Sequence, residues 1–173
     1  MSTARGARLT FLSGSDTNVF EYRQAQEVRD AFAKHSVYYL FIGKSGAVLL
    51  GFPDTTQDVD VFVQKTAENG RNLVAALLEL GFALTAQQIA AIERGSDFVQ
   101  LNNGPFDLDL LYAPDGIERF EDAWKRRTEV DGFMVCNIDD IIASKQAAKR
   151  QKDLESLPRL HAFRTYLKNK SSS

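Results

Sequence analysis

Asp58 and Asp60 occupy alternate positions of residues 55–63, TTQDVDVFV, a run otherwise rich in valine and phenylalanine. In a strand, successive side chains point to opposite faces. The two acids therefore share one face, and Val59 and Val61 the other. Their Cα atoms stand about 6.5 Å apart, so both carboxylates can reach one ion or two adjacent ions. Unpartnered on a buried face, they would repel each other and lose hydration. Neutralisation, pairing or metal binding is the expected response; the plain alternative is a solvated strand start. Residues 106–112, FDLDLLY, repeat the device. Asp107 and Asp109 share a face there, opposite Phe106, Leu108 and Leu110. If this strand lies beside the first, one of its acids completes a cluster of three. Asp109, embedded among leucines, is the stronger candidate; Asp107 reads equally well as a solvent-facing edge residue. Three carboxylates without thiols or clustered histidines suit Mg²⁺ or Mn²⁺, which keep waters and take substrate phosphates as further ligands. Two such ions, about 3.5 to 4 Å apart, would clamp the attacking and leaving oxygens of a phosphoryl or nucleotidyl transfer.

A second stretch bears on phosphate. Gly43 closes an apolar run and opens GKSG, but no glycine stands five residues earlier, so the spacing of a P-loop is missing. Backbone N–H groups after Gly43, with Ser45, are suited to phosphate oxygens at a helix start. Lys44 adds charge there or is a plain surface lysine. The Asn-Gly and Pro signals of residues 102–105 place a turn between residues 96–101 and 106–112, making those two strands a hairpin.

The remaining chain must position these groups. With 173 residues, 44% of them hydrophobic, one compact domain with a substantial core is expected. A single cysteine, Cys136, rules out an intrachain disulfide and a thiolate zinc site and favours a reducing compartment. Two distant histidines leave little for a histidine-based metal site or triad. No apolar run approaches a membrane span and no signal-like core opens the chain, so the cytoplasm is the expected location. The net charge of -2 is uneven: residues 145–170 hold eight Lys and Arg against two acids. This basic end suits an anionic ligand or is a solvated helical face.

Periodicity and punctuation predict a helix over residues 20–34 capped by Asp16 or Thr17, a buried strand ending at Gly43, and a short helix or turn over residues 44–52. They further predict the Asp58 strand, a helix over residues 72–80 stopped by Gly81, the hairpin, and a helix over about 117–127. A short strand, GFMVC, and a helix capped by Asn137 or Asp139 complete the pattern with a last helix that Pro158 kinks or divides. The fold class is α/β (α+β): a small mixed sheet flanked by helices. A lead-in over residues 1–16 precedes a single domain over 17–170, of which 137–170 is a C-terminal helical region.

With these pieces in order, the chain resembles the minimal nucleotidyltransferases of the AbiEii/MenA-like toxin group, within the DNA polymerase β-like superfamily. The resemblance rests on the Gly43 turn, on GFPDTTQDVDV with Gly51, Pro53, Thr56, Asp58 and Asp60, and on IIASKQAAKRQKDLESL over residues 141–157. It spans residues 38–160. It implies NMP transfer from an NTP to a hydroxyl of RNA, tRNA included, or of a protein, with Mg²⁺ or Mn²⁺ on Asp58, Asp60 and Asp109. It also implies NTP contacts from Gly43, Lys44, Ser45, Thr56, Lys145, Arg150 and Lys152, and a cognate antitoxin as partner. A small-molecule (antibiotic) acceptor and a non-catalytic nucleotide-binding or interaction role are the alternatives. A Mg²⁺-dependent nuclease or phosphohydrolase would use similar acids. Two departures stand out: Lys44 where a second small residue is usual, and Asp54 where arginine is frequent.

Overall fold

The computed structural model describes residues 20–172. The proposed caps Asp16 and Thr17 and the whole lead-in lie outside them. Helix α1 spans Tyr22–Lys34, where the Gln24 side chain accepts from the Glu21 N–H at 2.9 Å. Strand β1 (Tyr39–Ile42), helix α2 (Gly43–Leu49) and strand β2 (Asp58–Val63) follow. Next come α3 (Ala67–Leu80), α4 (Ala86–Arg94) and the hairpin strands β3 (Phe98–Leu101) and β4 (Asp107–Leu111). Helix α5 (Phe120–Lys125), strands β5 (Thr128–Val130) and β6 (Phe133–Val135), and helices α6 (Ile138–Ala148) and α7 (Gln151–Ser171) complete the described chain.

The six strands form one mixed sheet in the order β3-β4-β2-β1-β6-β5. β2 runs parallel to β4 and β1 parallel to β6, while the β1–β2, β3–β4 and β5–β6 pairs are antiparallel. Alternation sorts the sheet into two faces. Val59, Val61, Val63, Leu108, Leu110, Val99 and Leu101 are buried on one face. Tyr39 and Phe41 share it, and the Phe32 ring of α1 meets Tyr39 edge-on at 4.7 Å. The other face carries the acids. No helix among the described residues is long and apolar enough to cross a membrane.

Local chemistry explains where the elements differ from expectation. Helix α3 begins at Ala67, not at residue 72, because Thr66 caps it by accepting from the Asn69 N–H. Gly70, which reads as a breaker, serves contact with α4: a Cβ there would stand 2.9 Å from the Glu93 Cα. Helix α4 was not anticipated, although Thr85 and Gln88 form a reciprocal capping box and Gly95 ends it in the left-handed region. Strand β5 was also missed; it pairs across Asp131 and Gly132 with the expected β6. Helix α5 is shorter than residues 117–127. Helix α7 runs through Pro158 without dividing, on an exposed stretch of its surface.

One buried side chain joins three segments. Asn69, 2% exposed, accepts from the Tyr38 N–H (2.8 Å) and donates to the carbonyls of Tyr38 (3.0 Å) and Gln64 (2.8 Å). Replacing it with alanine removes the acceptor of the Tyr38 N–H and leaves the two carbonyls with only the N–H groups of Gln64 and Thr66. Asn69→Ala should lower unfolding free energy by about 3 kcal/mol, read from a shift of the urea midpoint at unchanged slope.

Candidate active site

The site begins with strand register. Parallel pairing sets Asp58 opposite Asp107 and Asp60 opposite Asp109, and on the far side Gln100 of β3 stands opposite Asp109. Asp58, Asp60 and Asp109 line one cleft, whereas Asp107 lines neither of its cavities. The hairpin reading was correct, and it is the β2–β4 neighbourhood that completes the trio.

Their electrostatics follow from crowding. Burial, then the charges of Asp109 and Asp58, push the Asp60 carboxyl up to about 8, with Lys145 pulling the other way. Asp109 is also raised, by burial first and then by Asp58, while hydrogen bonds from Asp60 and Gln100 hold it back. With both carboxyls raised, sharing one proton between them is favoured over full ionisation of the pair. The Oδ1 atom of Asp109 is buried without a partner, a cost that a bound cation would relieve.

Three more features hold this arrangement. Gly43 opens α2 at φ +67°, and a Cβ there would collide with the Asp60 carboxylate. The Ser45 hydroxyl donates to the Ile42 carbonyl and accepts from the Asp60 N–H, both at 3.0 Å. Ser45 is fully buried, which corrects the expectation that its side chain cradles phosphate: it fastens the glycine turn to the acidic strand instead. Thr56 is partly exposed and donates to the Asp58 carbonyl at 3.3 Å.

The basic wall comes from α6 and α7. Asp153, 1% exposed, accepts from Lys145 (3.1 Å) and from Arg150 (2.6 Å). Burial pushes its carboxyl up, but those two cations outweigh it and hold the group below its ordinary range. Lys145, Arg150 and Lys152 all line the cleft. Helix α6 ends at Ala148, and Lys149, which caps it, turns left-handed at φ 58°.

The two departures from the resembled pattern meet each other. Lys44 Nζ lies 3.3 Å from Asp54 Oδ2, and Arg159 of α7 reaches the same oxygen at 3.1 Å. Arg159 also donates to the Pro53 carbonyl at 2.8 Å and covers the Phe52 ring. Burial raises the Asp54 carboxyl, yet the Thr55 N–H, Lys44 and Arg159 together lower it. Gln100, which lines the cleft, and Arg159, which braces Asp54 at its rim, were missed by sequence reasoning. Gln100 was findable from the hairpin, as the side chain two residues before its turn on the acidic face.

Asp58, Asp60 and Asp109 fit a hard divalent cation by donor type and by the unpartnered Asp109 oxygen. As the side chains stand, no group of three or more His, Cys, Asp or Glu among the described residues is gathered into an ion cage.

The raised carboxyls have a consequence for stability. With Asp60 raised to about 8, the metal-free folded chain binds more protons than the unfolded chain between about pH 4 and 8. Stability should therefore fall as pH rises through that window. Asp54 and Asp153, held low, lose their stabilising effect only below it. Thermal melts in EDTA should show the midpoint falling from pH 5 to 8, and excess Mg²⁺ should flatten the slope. A midpoint rising across that window would contradict the shared proton.

No protein-family profile matches the chain, and no curated protein is similar to it in sequence. Several solved structures are similar to it, among them the following two. The lincosamide antibiotic adenylyltransferase LnuA, solved with lincomycin bound, superposes with a TM-score of 0.58 at 15% identity, covering 83% of this chain and 98% of its own. TM1012 from Thermotoga maritima, a nucleotidyltransferase by assignment, gives 0.48 at 15% identity, covering 85% and 92%. The six-stranded mixed sheet flanked by helices is the fold seen in LnuA, and this chain shares it.

Proposed function

We propose that the chain is a divalent-cation-dependent nucleotidyltransferase that moves NMP from an NTP to an acceptor hydroxyl. The observation that carries this is the Asp60–Asp109 register, which brings a buried, unpartnered carboxylate oxygen beside two further acids in a cleft walled by lysine and arginine. The superfamily likeness of fold agrees with it; the narrower AbiEii/MenA-like placement rests on the motifs.

A divalent ion bound by Asp58, Asp60 and Asp109 would neutralise charge on the reacting phosphate and its leaving group. The chain's own residues do the rest. Lys44 contacts the outer phosphates, and the backbone at Gly43, which lines the cleft beside Asp60, contacts the reacting one, with Thr56 as an orienting hydroxyl. Lys145, Arg150 and Lys152 offset negative charge, the first two aimed by Asp153. Asp109 accepts the proton of the acceptor hydroxyl as its oxygen bonds to the α-phosphorus. The bond from that phosphorus to the β-bridging oxygen breaks, and pyrophosphate leaves with the electron pair. Ser45 acts through position, keeping Asp60 against the glycine turn. Arg150 and Lys152, exposed at the mouth, support an RNA or protein acceptor and the toxin role with a cognate antitoxin. Phe98, Leu111, Ile141 and Ala148, which line one end of the cleft, support a small-molecule acceptor.

Asp60→Asn should abolish pyrophosphate release and NTP-dependent labelling, by at least about a hundredfold, with the circular dichroism spectrum unchanged. EDTA should do the same to the wild type. Equal labelling by the variant, or activity indifferent to EDTA, would remove the acids from the mechanism.

A further inference from the structure

The cleft has two lobes that share Asp58, Asp60, Asp109, Lys145, Arg150 and Lys152. The first, about 450 Å³, is walled only by polar residues, and Lys44, Thr55, Thr56 and Gln57 are its own. The second, about 380 Å³, adds Phe98, Leu111, Ile141 and Ala148, with Gln100 and Asp115. Phe98 lies on the edge strand β3, 54% exposed, with no ring partner among the described residues. It is on the acids' face, since Phe98 pairs with Leu111 and Gln100 with Asp109. An exposed aromatic ring beside a polar cleft offers a face on which an apolar part of a ligand can pack.

Resting on the proposed transfer, the geometry points to the Phe98 lobe as the acceptor site, and to a small, hydroxylated molecule with an apolar or aromatic face as the acceptor. In-line displacement puts the attacking oxygen and the leaving pyrophosphate on opposite sides of the reacting phosphorus. The polyphosphate belongs in the wholly polar lobe with Lys44, so the attacking hydroxyl enters from the other. There it meets the Phe98 ring, Leu111 and Ala148 beside Asp109. The one charged side chain belonging to that lobe alone, Asp115, is negative, which favours a neutral or cationic acceptor over an anionic one. The volume suits a ligand of drug-like size.

The basic C-terminal region agrees with this choice. Five of its eight Lys and Arg are ion-paired within the chain, Lys145 and Arg150 with Asp153, Arg159 with Asp54, and Arg164 and Lys168 with Asp139. A polyanion would have to compete with those acids, so a nucleic-acid acceptor is the less favoured class.

The test incubates the purified chain and Mg²⁺ with each α-labelled NTP and a cell extract separated into sub-kilodalton, RNA and protein fractions. Label is expected in the sub-kilodalton fraction. Phe98→Ala should raise the acceptor KM about tenfold or more with kcat little changed, and Phe98→Leu should keep most of the wild-type efficiency. Calorimetric affinity for the Mg²⁺-bound NTP should stay within about twofold in both variants, which also reports that they are folded. Label on RNA or protein, or Phe98→Ala transferring like wild type, would overturn the assignment of the lobe. So would a loss of NTP affinity in Phe98→Ala, since it would place the donor's base on the ring. Wild-type chain that neither binds NTP nor labels any fraction would instead sink the transferase reading, and this inference with it.

Discussion

The parallel pairing of β2 with β4 governs everything else in the cleft. It places Asp60 directly opposite Asp109, where two ionised carboxylates repel in a partly dry environment. The neighbouring structure answers that repulsion on every side. Gly43 leaves room for the Asp60 carboxylate, Ser45 anchors its backbone, Gln100 donates to Asp109, and Lys145 supplies positive charge from α6. Such convergence is poorly explained by stability alone. An apolar pair at the same register would hold the strands together without the electrostatic cost. Charge kept at a cost, in a cleft, is the physical mark of a site.

The Lys44–Asp54–Arg159 cluster shows how a chain can depart from a motif without losing its electrostatic sense. A lysine beside the glycine turn and an aspartate in the following loop each look disruptive when read separately. In three dimensions they form an ion pair, and a guanidinium from a helix over a hundred residues later joins the same carboxylate oxygen. Lys44, Asp54 and Arg159 carry a net positive charge together, so the polar lobe remains suited to an anion. The cluster also links the rim of the cleft to the aromatic packing of Phe52 and Phe163 beneath α7.

The acids, their shared face and the hairpin were legible because period-two alternation and Asn-Gly chemistry are local signals. The mixed sheet followed from the same reasoning. What could not be read were facts of register and of long-range contact. Nothing in FDLDLLY says which strand lies beside it, so the preference for Asp109 over Asp107 rests there on apolar neighbours; in the fold both acids pair with β2, and Asp109 alone of the two lines the cleft. Helix α3 was begun late because Asn69 and Gly70 look like loop residues; one is buried as a bridge between segments and the other permits a close helix crossing. Ser45 was assigned to ligand contact by its place after a glycine, whereas its burial gives it a structural task. Helix α4 was the avoidable omission, its box and glycine stop being plain in the residues.

Asp153 gives the cleft wall a mechanical character. One almost wholly enclosed carboxylate receives a lysine from α6 and an arginine from the joint between the helices. Pulling α6 away from α7 would leave an uncompensated anion in a dry place, so the two helices are expected to travel as one slab. Any breathing that admits a substrate then has to occur where that slab meets the sheet. The loop carrying Asp54, tied to α7 through Arg159, would be drawn along with it.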